Sequence, residues 1–307
     1  MLPDHFSLEG KKRILDVACG PGEWGLTVAS RYFPDVSVCG IDNSEPMIEF
    51  ARAQAHAREL THQTSFYIMN ILELPLNLPA ASFDLVNLRF ISGLLPREGW
   101  RPLFEECYRL THAGGMIRST EADVWSMPEC PANNRFAELI VKAVWLAGQG
   151  FDERAWAVVP MIGKFLVEAG YEDIHSKAYA LDYSYGTPLH KPISENFEMS
   201  YALLRPFLLR MKIADAEEID RLIDASRQER ERVFSSVLVS YKYLCNEALE
   251  VVYGLMRGKI LSAHFCILLE CFPKNSGKFP QKSFGFFHYH FSLFSATLCK
   301  DRVVIHL

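Results

Sequence analysis

A short stretch near the start of the chain combines a carboxylate with a glycine-rich turn. The segment ILDVACGPGEWG, residues 14–25, places Asp16 ahead of Gly20 and Gly22. Glycines let the backbone approach a ligand closely, and the N-terminus of a following helix offers free N–H groups. Asp42 lies about twenty residues further on, where a carboxylate can accept both hydroxyl groups of a ribose. These residues predict a site for a nucleotide-like ligand.

The negative charge of Asp16 distinguishes between classes of nucleotide-like ligand. A carboxylate at the end of the first strand would repel a pyrophosphate, whereas it would attract a ligand that carries an ammonium and a sulfonium. S-adenosylmethionine has both of these charges together with a ribose and an adenine. Asn70 can hydrogen-bond the adenine edge, and the backbone at Ile71 and Leu72 can add further contacts. We therefore expect S-adenosylmethionine as the cofactor.

The predicted scaffold for these residues is a parallel sheet. From residue 13 to about 181, short β-branched apolar runs alternate with segments of helical period, which is typical of βα units. The predicted strands are 13–18, 36–41, 65–69, 83–90, 115–121 and 171–181. In such sheets the ligand binds beyond the carboxyl ends of the strands. The residues there are Asp16, Ala18, Gly20, Gly22, Asp42, Asn70, Arg89 and Glu121. We predict a doubly wound, mostly parallel α/β sheet with one ligand crevice.

Two segments of helical period interrupt the strand pattern, at about 128–149 and 193–244. Because helical insertions late in an α/β sheet often cover its crevice, we expect them to form a lid. The predicted organisation is a core over 1–190 that includes the first lid segment, a helical lid and substrate region over 191–257, and a C-terminal extension over 258–307. This extension could add strands at the sheet edge or be an atypical appendage.

Composition argues against several classes of partner. The net charge of −5 gives no broad basic field, so neither nucleic acid nor an anionic membrane surface is an expected partner. The longest apolar stretch, residues 260–272, is too short to span a bilayer. The first ten residues lack a signal pattern. Eight scattered cysteines without ligand spacing predict reduced thiols, no metal site and a cytoplasmic location.

Five stretches in order resemble the motifs of class I S-adenosylmethionine-dependent methyltransferases. They are ILDVACGPGEWG, VCGIDNSEPMIEFARA, YIMNILELP, FDLVNLRF and RLTHAGGMIRSTE. The resemblance covers residues 13–181 and implies a seven-stranded fold with an antiparallel last strand. By position it also implies cofactor contacts from Asp16, Ala18, Gly20, Asp42, Asn43, Asn70 and Ile71. We add Cys19 and Gly22 of the same turn, with Cys19 as a small filler that contributes a backbone contact.

The sequence departs from that family at three places. Ala18 stands where many members have glycine, and Asn70 stands where an acid is common. Only about a dozen residues precede the first predicted strand, whereas relatives usually carry a helical segment there that helps to close the substrate pocket. We therefore expect a weaker or reversed adenine contact at Asn70 and a more open site.

Arg89 and Glu121 are the two candidates for a direct role in catalysis. Arg89 could hold the carboxylate of the cofactor or a substrate acid, or it could neutralise Glu121 or Glu105. Glu121 follows the fifth strand near the expected methyl position, where it could orient or deprotonate a substrate or lie in a solvated loop. Methyl transfer depends mainly on alignment, and a general base is needed only for a hydroxyl or an acidic carbon.

The predicted function is methyl transfer to a small molecule, which we expect to be apolar or aromatic because the lid segments are rich in Phe, Leu, Met and Trp. A nicotinamide-dependent oxidoreductase is one alternative, but Asp16 and the missing third glycine argue against it. A non-catalytic S-adenosylmethionine-binding protein that regulates a partner is another.

Overall fold

The structure is a computed structural model that describes residues 6, 9–10, 12–92, 94–123, 129–232 and 237–247, with the backbone alone for 122–123 and 237–247. Seven strands form one sheet in the order β3-β2-β1-β4-β5-β7-β6. The strands are β1 Lys12–Val17, β2 Val36–Asp42, β3 Thr64–Ile68, β4 Phe83–Arg89, β5 Thr111–Asp123, β6 Tyr171–Asp182 and β7 Val237–Glu247. The first five are parallel, and β7 runs antiparallel to both β5 and β6.

Helices pack on both faces of this sheet and in a further layer. They are α1 Glu23–Arg31, α2 Glu45–Ala57, α3 Trp100–Leu110, α4 Pro131–Leu146, α5 Val159–Ala169, α6 His190–Arg210 and α7 Ala216–Arg230. One core packs α3 and α5 against residues such as Leu15 and Val86. The opposite face packs α1 against residues such as Ile14 and Leu85. Neighbouring residues of a strand therefore face different layers, as the alternation of side chains along a strand requires.

The mostly parallel α/β fold predicted from the sequence is confirmed. Each of the six predicted strands is present, with its bounds shifted by a few residues at most. The direction in which strands are added to the sheet reverses after β3: β2 and β3 lie on one side of β1, and β4 lies on its other side. This reversal opens a crevice beyond the carboxyl ends of β1, β2 and β4, where a ligand of a doubly wound sheet is expected.

The helical prediction for 193–244 is wrong at its end. Residues 237–247 form β7, which is inserted between β5 and β6. A run such as VLVSYKYL contains β-branched and aromatic residues that favour a strand once two neighbouring strands are available to pair with it. The strands suggested within 258–307 lie outside the described residues.

The helical insertions pack against one another as a separate layer, which we call the lid. Helices α4, α6 and α7 enclose a cluster that includes Phe136, Leu204 and Ile219. The N-terminus of α7 is capped as its sequence indicates, because the Asp215 carboxylate accepts from the N–H of Glu218 at 2.7 Å. The carboxylate of Glu229 on α7 in turn accepts from two N–H groups of the first turn of α4.

Candidate functional site

The turn after β1 has the backbone conformation that its glycines allow. Gly20 and Gly22 have φ of 54° and 75°, and Ala18 also has a positive φ of 53°. Gly22 immediately precedes α1, and its N–H donates to the carbonyl of Cys19 at 3.1 Å. A Cβ atom on Gly22 would lie 2.7 Å from the ring of Phe66. Glycine is therefore required at Gly22 by both backbone angle and space.

Asp42 ties the glycine turn to the end of β2. Its Oδ2 accepts from the N–H of Gly20 at 2.9 Å, and its Oδ1 accepts from the N–H of Ser44 at 2.9 Å. The side chain is buried, whereas the neighbouring Asn43 is exposed. A carboxylate has about four lone-pair sites, so these two bonds alone do not use its full capacity to accept. The turn and the carboxylate thus form one rigid unit.

Cys19 lies between two carboxylates. Burial raises the pKa of its thiol well above the usual range, and the charges of Asp42 and Asp16 raise it further. The thiol therefore stays protonated and is a poor nucleophile. Its N–H donates to the carbonyl of Ile41 at 2.8 Å, which agrees with a filler that contributes backbone contacts.

The loop after β3 approaches Asp42 from the other side. The N–H of Met69 donates to the carbonyl of Asp42 at 2.9 Å, which places Asn70 next to the end of β2. The side chain of Asn70 folds back on its own loop, where Oδ1 accepts from the N–H of Leu72 at 3.1 Å and Nδ2 donates to Glu73 at 3.0 Å. Ile71 is buried, and Leu72 is 44% exposed beside it.

A row of three polar residues crosses the sheet below the turn. Asp16, Asn87 and Arg118 are direct neighbours on β1, β4 and β5. Asn87 Nδ2 donates to Asp16 at 2.5 Å, and Arg118 Nε donates to Asn87 Oδ1 at 2.7 Å. All three side chains are buried, so the amide joins a buried anion to a buried cation. Such pairing is how buried charges are retained in proteins.

Sequence reasoning found Asp16 but missed Asn87 and Arg118. Each is a polar residue within an otherwise apolar run, FDLVNLRF and GMIRSTE, and that departure from the pattern was the available signal. Their adjacency depends on the register of three strands that are distant in sequence.

Arg89 and Arg118 flank the same aromatic ring. The guanidinium carbon of Arg118 lies 4.8 Å from the ring centroid of Trp24, and that of Arg89 lies 5.4 Å from it. Trp24 stands in the first turn of α1 and is buried. These cation–π contacts bring Arg89 to the start of α1, next to the glycine turn. Trp24 is a further residue that sequence reasoning missed.

Glu121 holds the segment that follows β4. Its carboxylate accepts from the N–H groups of Ile91 and Ser92 at 2.9 and 3.2 Å and pairs with the Ser92 hydroxyl. The side chain is fully buried. Burial raises the pKa of Glu121 to about 8, although these hydrogen bonds act in the opposite direction. The acid is therefore largely protonated at neutral pH.

The structure brings most of the predicted residues together at the carboxyl ends of β1, β2 and β3. Glu121 instead contacts the segment after β4. Within the described part of the chain, no group of three or more His, Cys, Asp or Glu side chains could hold a metal ion. Among the helices that the structure describes, none has both the length and the apolar character needed to cross a membrane.

The chain is similar in sequence to known methyltransferases. Residues 14–115 match a family model described as a methyltransferase domain. A demethylmenaquinone methyltransferase of Geobacillus kaustophilus is 34% identical over 188 residues, covering 57% of this chain and 77% of the relative. The enzyme of the same name from Listeria welshimeri is 29% identical over 156 residues, covering 51% of this chain and 57% of the relative. The chain thus spans little more than half the length of the Listeria protein.

A solved structure is also similar. Phosphoethanolamine N-methyltransferase 2 of Haemonchus contortus, in complex with S-adenosyl-L-methionine, matches with a TM-score of 0.47 and 17% identity, covering 78% of this chain and 49% of that chain. The family assignment itself rests on the sequence relatives and on the motifs described above. With 34% identity across 77% of the Geobacillus relative, this chain belongs to the class I S-adenosylmethionine-dependent methyltransferase family.

Proposed function

We propose that this protein transfers the methyl group of S-adenosylmethionine to a small apolar or aromatic acceptor. The observation that carries the proposal is the convergence of two buried carboxylates, Asp16 and Asp42, on the glycine turn, where both raise the pKa of the Cys19 thiol. A turn with two negative charges favours a cationic ligand over a pyrophosphate. Arg118 offsets part of the charge of Asp16 through Asn87, and the glycine turn itself bonds directly to Asp42.

The chemistry of the residues at the turn suits this cofactor. Asp42 would accept the ribose hydroxyls, and Ile71 with Asn70 would contact the adenine. The backbone from Ala18 to Gly22 would lie along the amino-acid part, with Cys19 contributing its backbone, and Asn43 would lie at the edge of the site. We assign to Arg89, held beside Trp24, the carboxylate of the cofactor. When bound, S-adenosylmethionine supplies a methyl group that its sulfonium has already activated.

The protein's part in the reaction is then to orient the acceptor and to exclude water. Glu121 contributes by fixing the backbone of Ile91 and Ser92 at the end of β4, so we assign it a positioning role. Holding two reactants in line can lower a reaction barrier by about 7–11 kcal/mol in well-oriented systems. Alignment of this kind needs no nucleophilic side chain from the protein.

The acceptor class is supported by an apolar cluster next to the crevice. Phe90, which directly follows β4, packs with Cys130, Tyr183, Leu189 and Ile193 of the lid region. Aromatic and aliphatic side chains of this kind suit contact with a flat apolar ring. The named relatives are demethylmenaquinone methyltransferases, and an aromatic acceptor for this chain agrees with that name.

Calorimetric titration of the full chain with S-adenosylhomocysteine and with NADH tests the cofactor assignment. We expect binding of S-adenosylhomocysteine and none of NADH; the reverse pattern would contradict the proposal. Turnover is then measured with labelled S-adenosylmethionine on a panel of aromatic phenols, quinols and amines. Cofactor binding without turnover, combined with a stable protein partner, would instead favour a regulatory S-adenosylmethionine-binding protein.

A further inference from the structure

The lid contains a buried arginine whose hydrogen-bonding capacity is only partly used. Arg230, at the end of α7, is 3% exposed. Its Nη1 donates to the hydroxyl of Ser226 at 3.0 Å. None of the described residues accepts a hydrogen bond from its Nε or its Nη2. A buried charged donor without an acceptor is costly, so this unfilled edge calls for a ligand.

The edge of Arg230 formed by Nε and Nη2 is the edge through which arginine binds carboxylates. Nε and Nη2 of a guanidinium point their N–H bonds in parallel, which matches the two oxygens of a carboxylate. Two other arginines of this chain show that match. Arg205 binds Asp220 through Nε at 2.6 Å and Nη2 at 2.7 Å, and Arg109 binds Glu106 through the same two atoms at 2.8 and 2.6 Å.

The acidic side chain of Glu198 lies near Arg230 but is already paired with another arginine. Glu198 Oε1 lies 3.9 Å from Arg230 Nη2, which is too far for a hydrogen bond, and it pairs with Arg227 Nε at 3.0 Å. The charge of Arg230 is thus only partly compensated within the lid. An anion that entered would find a paired donor edge in a place of low water access.

Aromatic rings surround this guanidinium and connect it to the crevice. Its carbon lies 5.4 Å from the ring centroid of Tyr201 and 5.8 Å from that of Phe197. Phe197 is 5.8 Å from Tyr183, which belongs to the apolar cluster around Phe90. Beside Tyr201 lies the buried Nδ2 of Asn133, for which no residue in the described part of the chain is an acceptor, while Asn133 Oδ1 accepts from the Tyr201 hydroxyl at 2.6 Å.

We propose that Arg230 binds a carboxylate group of the methyl acceptor, so that the acceptor is an aromatic or apolar carboxylic acid. The inference rests on the proposed function, because it assigns the substrate class of the same site. The aromatic rings receive the flat apolar part of the acceptor, and the Nε and Nη2 edge receives both oxygens of its carboxylate. Asn133 Nδ2, beside the Tyr201 hydroxyl, offers a further donor.

The test compares two probes of the same shape, 2-naphthoate and its neutral amide 2-naphthamide, by calorimetry at pH 7 with the full chain saturated with S-adenosylhomocysteine. We expect naphthoate to bind about 10- to 100-fold more tightly than naphthamide, as a charged hydrogen-bonded pair implies. Arg230→Gln should reduce this preference to within about threefold. Equal binding of the two probes to the unaltered protein would overturn the proposal.

Two further variants separate binding from folding. Arg205→Gln removes a lid arginine whose carboxylate edge is already filled by Asp220, so the preference for naphthoate should remain. Arg230→Lys keeps the charge but lacks the paired edge, so most of the preference should disappear even if Arg230→Gln does not fold. A preference that survives in Arg230→Lys would refute the role of the edge. Failure of S-adenosylhomocysteine to bind would contradict the proposed function, whereas its binding with equal probe affinities would overturn the carboxylate assignment alone.

Discussion

At the scale of single residues, the site is defined by carboxylates with different partners. Asp42 accepts from the N–H groups of Gly20 and Ser44, Asp16 is joined to Arg118 through Asn87, and the buried Glu121 accepts from the N–H groups of Ile91 and Ser92. These surroundings set the protonation state that we expect for each carboxyl group, because burial raises the pKa of an acid whereas a nearby cation lowers it. Each carboxylate therefore has a distinct testable behaviour.

Replacing Asp42 by alanine should weaken the binding of S-adenosylhomocysteine by roughly 1–3 kcal/mol, because the ribose hydroxyls and the Gly20 N–H lose their acceptor. Calorimetric titration measures the change. The matched control is Asp84→Ala, which removes a carboxylate that also accepts from a backbone N–H, that of Arg13 at 2.7 Å, at the opposite end of the sheet. Equal affinity losses in the two variants would place the cofactor elsewhere.

Glu121→Gln should change how stability depends on pH. Burial raises the pKa of this acid from 4.5 to about 8, so its contribution to stability is fully present below pH 4.5 and is lost as the pH rises through 8. Glutamine resembles the protonated acid and does not ionise. Between pH 5 and pH 8.5, the unaltered protein should lose roughly 2–4 kcal/mol of unfolding free energy relative to the variant.

Urea unfolding at pH 5, 7 and 8.5 provides this measurement. Glu105→Gln serves as the control, because this side chain is 44% exposed and paired with Arg101. The unfolding free energy of this variant should depend on pH in the same way as that of the unaltered protein. If the unfolding free energy of Glu121→Gln followed the same pH dependence as well, Glu121 would be ionised in the folded protein, and the protonated state that we assign to it would be wrong.

At the scale of elements, the crevice depends on how closely β2, β3 and the glycine turn approach one another. Gly40 pairs with Phe66 across β2 and β3 and lies below Cys19. A Cβ atom at Gly40 would be 2.5 Å from Phe66 Cδ1 and 2.8 Å from Cys19 Sγ. The ring of Phe66 therefore occupies the space that a side chain on β2 would need, which keeps the turn in place.

Gly40→Ala should destabilise the protein by about 1–3 kcal/mol through overpacking and should also weaken S-adenosylhomocysteine binding, because Cys19 is displaced. Thermal unfolding and titration give the two quantities. The double variant Gly40→Ala/Phe66→Leu should recover part of both losses, since leucine is smaller than the phenylalanine ring. If the double variant showed no recovery of stability or affinity, so that the losses of the two substitutions added, the clash with Phe66 would not be the cause.

At the scale of the whole molecule, the sheet is completed by a strand from beyond the lid. The chain leaves β6, forms α6 and α7, and returns as β7 between β5 and β6. The lid is thus joined to the sheet at both ends. Residues 237–247 are paired on both sides, so β6 depends on them for its attachment to the sheet.

Two truncations test this dependence. A chain that ends at residue 257 retains β7 and should bind S-adenosylhomocysteine with an affinity within about twofold of the full chain. A chain that ends at residue 236 lacks β7 and should fail to unfold cooperatively, because β6 loses its neighbour in the sheet and β5 becomes an edge strand. Circular dichroism and titration compare the two. Cooperative unfolding of the shorter chain would show that β7 is dispensable.

The sequence by itself determined the features that depend on near neighbours. Alternation of apolar runs predicted six strands. Asp16 and Asp42 at the ends of β1 and β2, with Gly20 and Gly22 in the turn after β1, indicated the ligand edge, because parallel strands end at a common edge. The charge of Asp16 pointed to the cofactor, and the resemblance in motif order supported it and implied an antiparallel last strand.

The tertiary structure alone decided which polar groups meet. Arg118 reaches Asp16 through Asn87 only by the register of three strands, and Arg230 lies among aromatic rings only because α6 and α7 pack together. The same holds for β7, whose run became a strand because β5 and β6 offered edges on both sides. Local patterns cannot specify these outcomes, because burial and pairing depend on residues far apart in the chain.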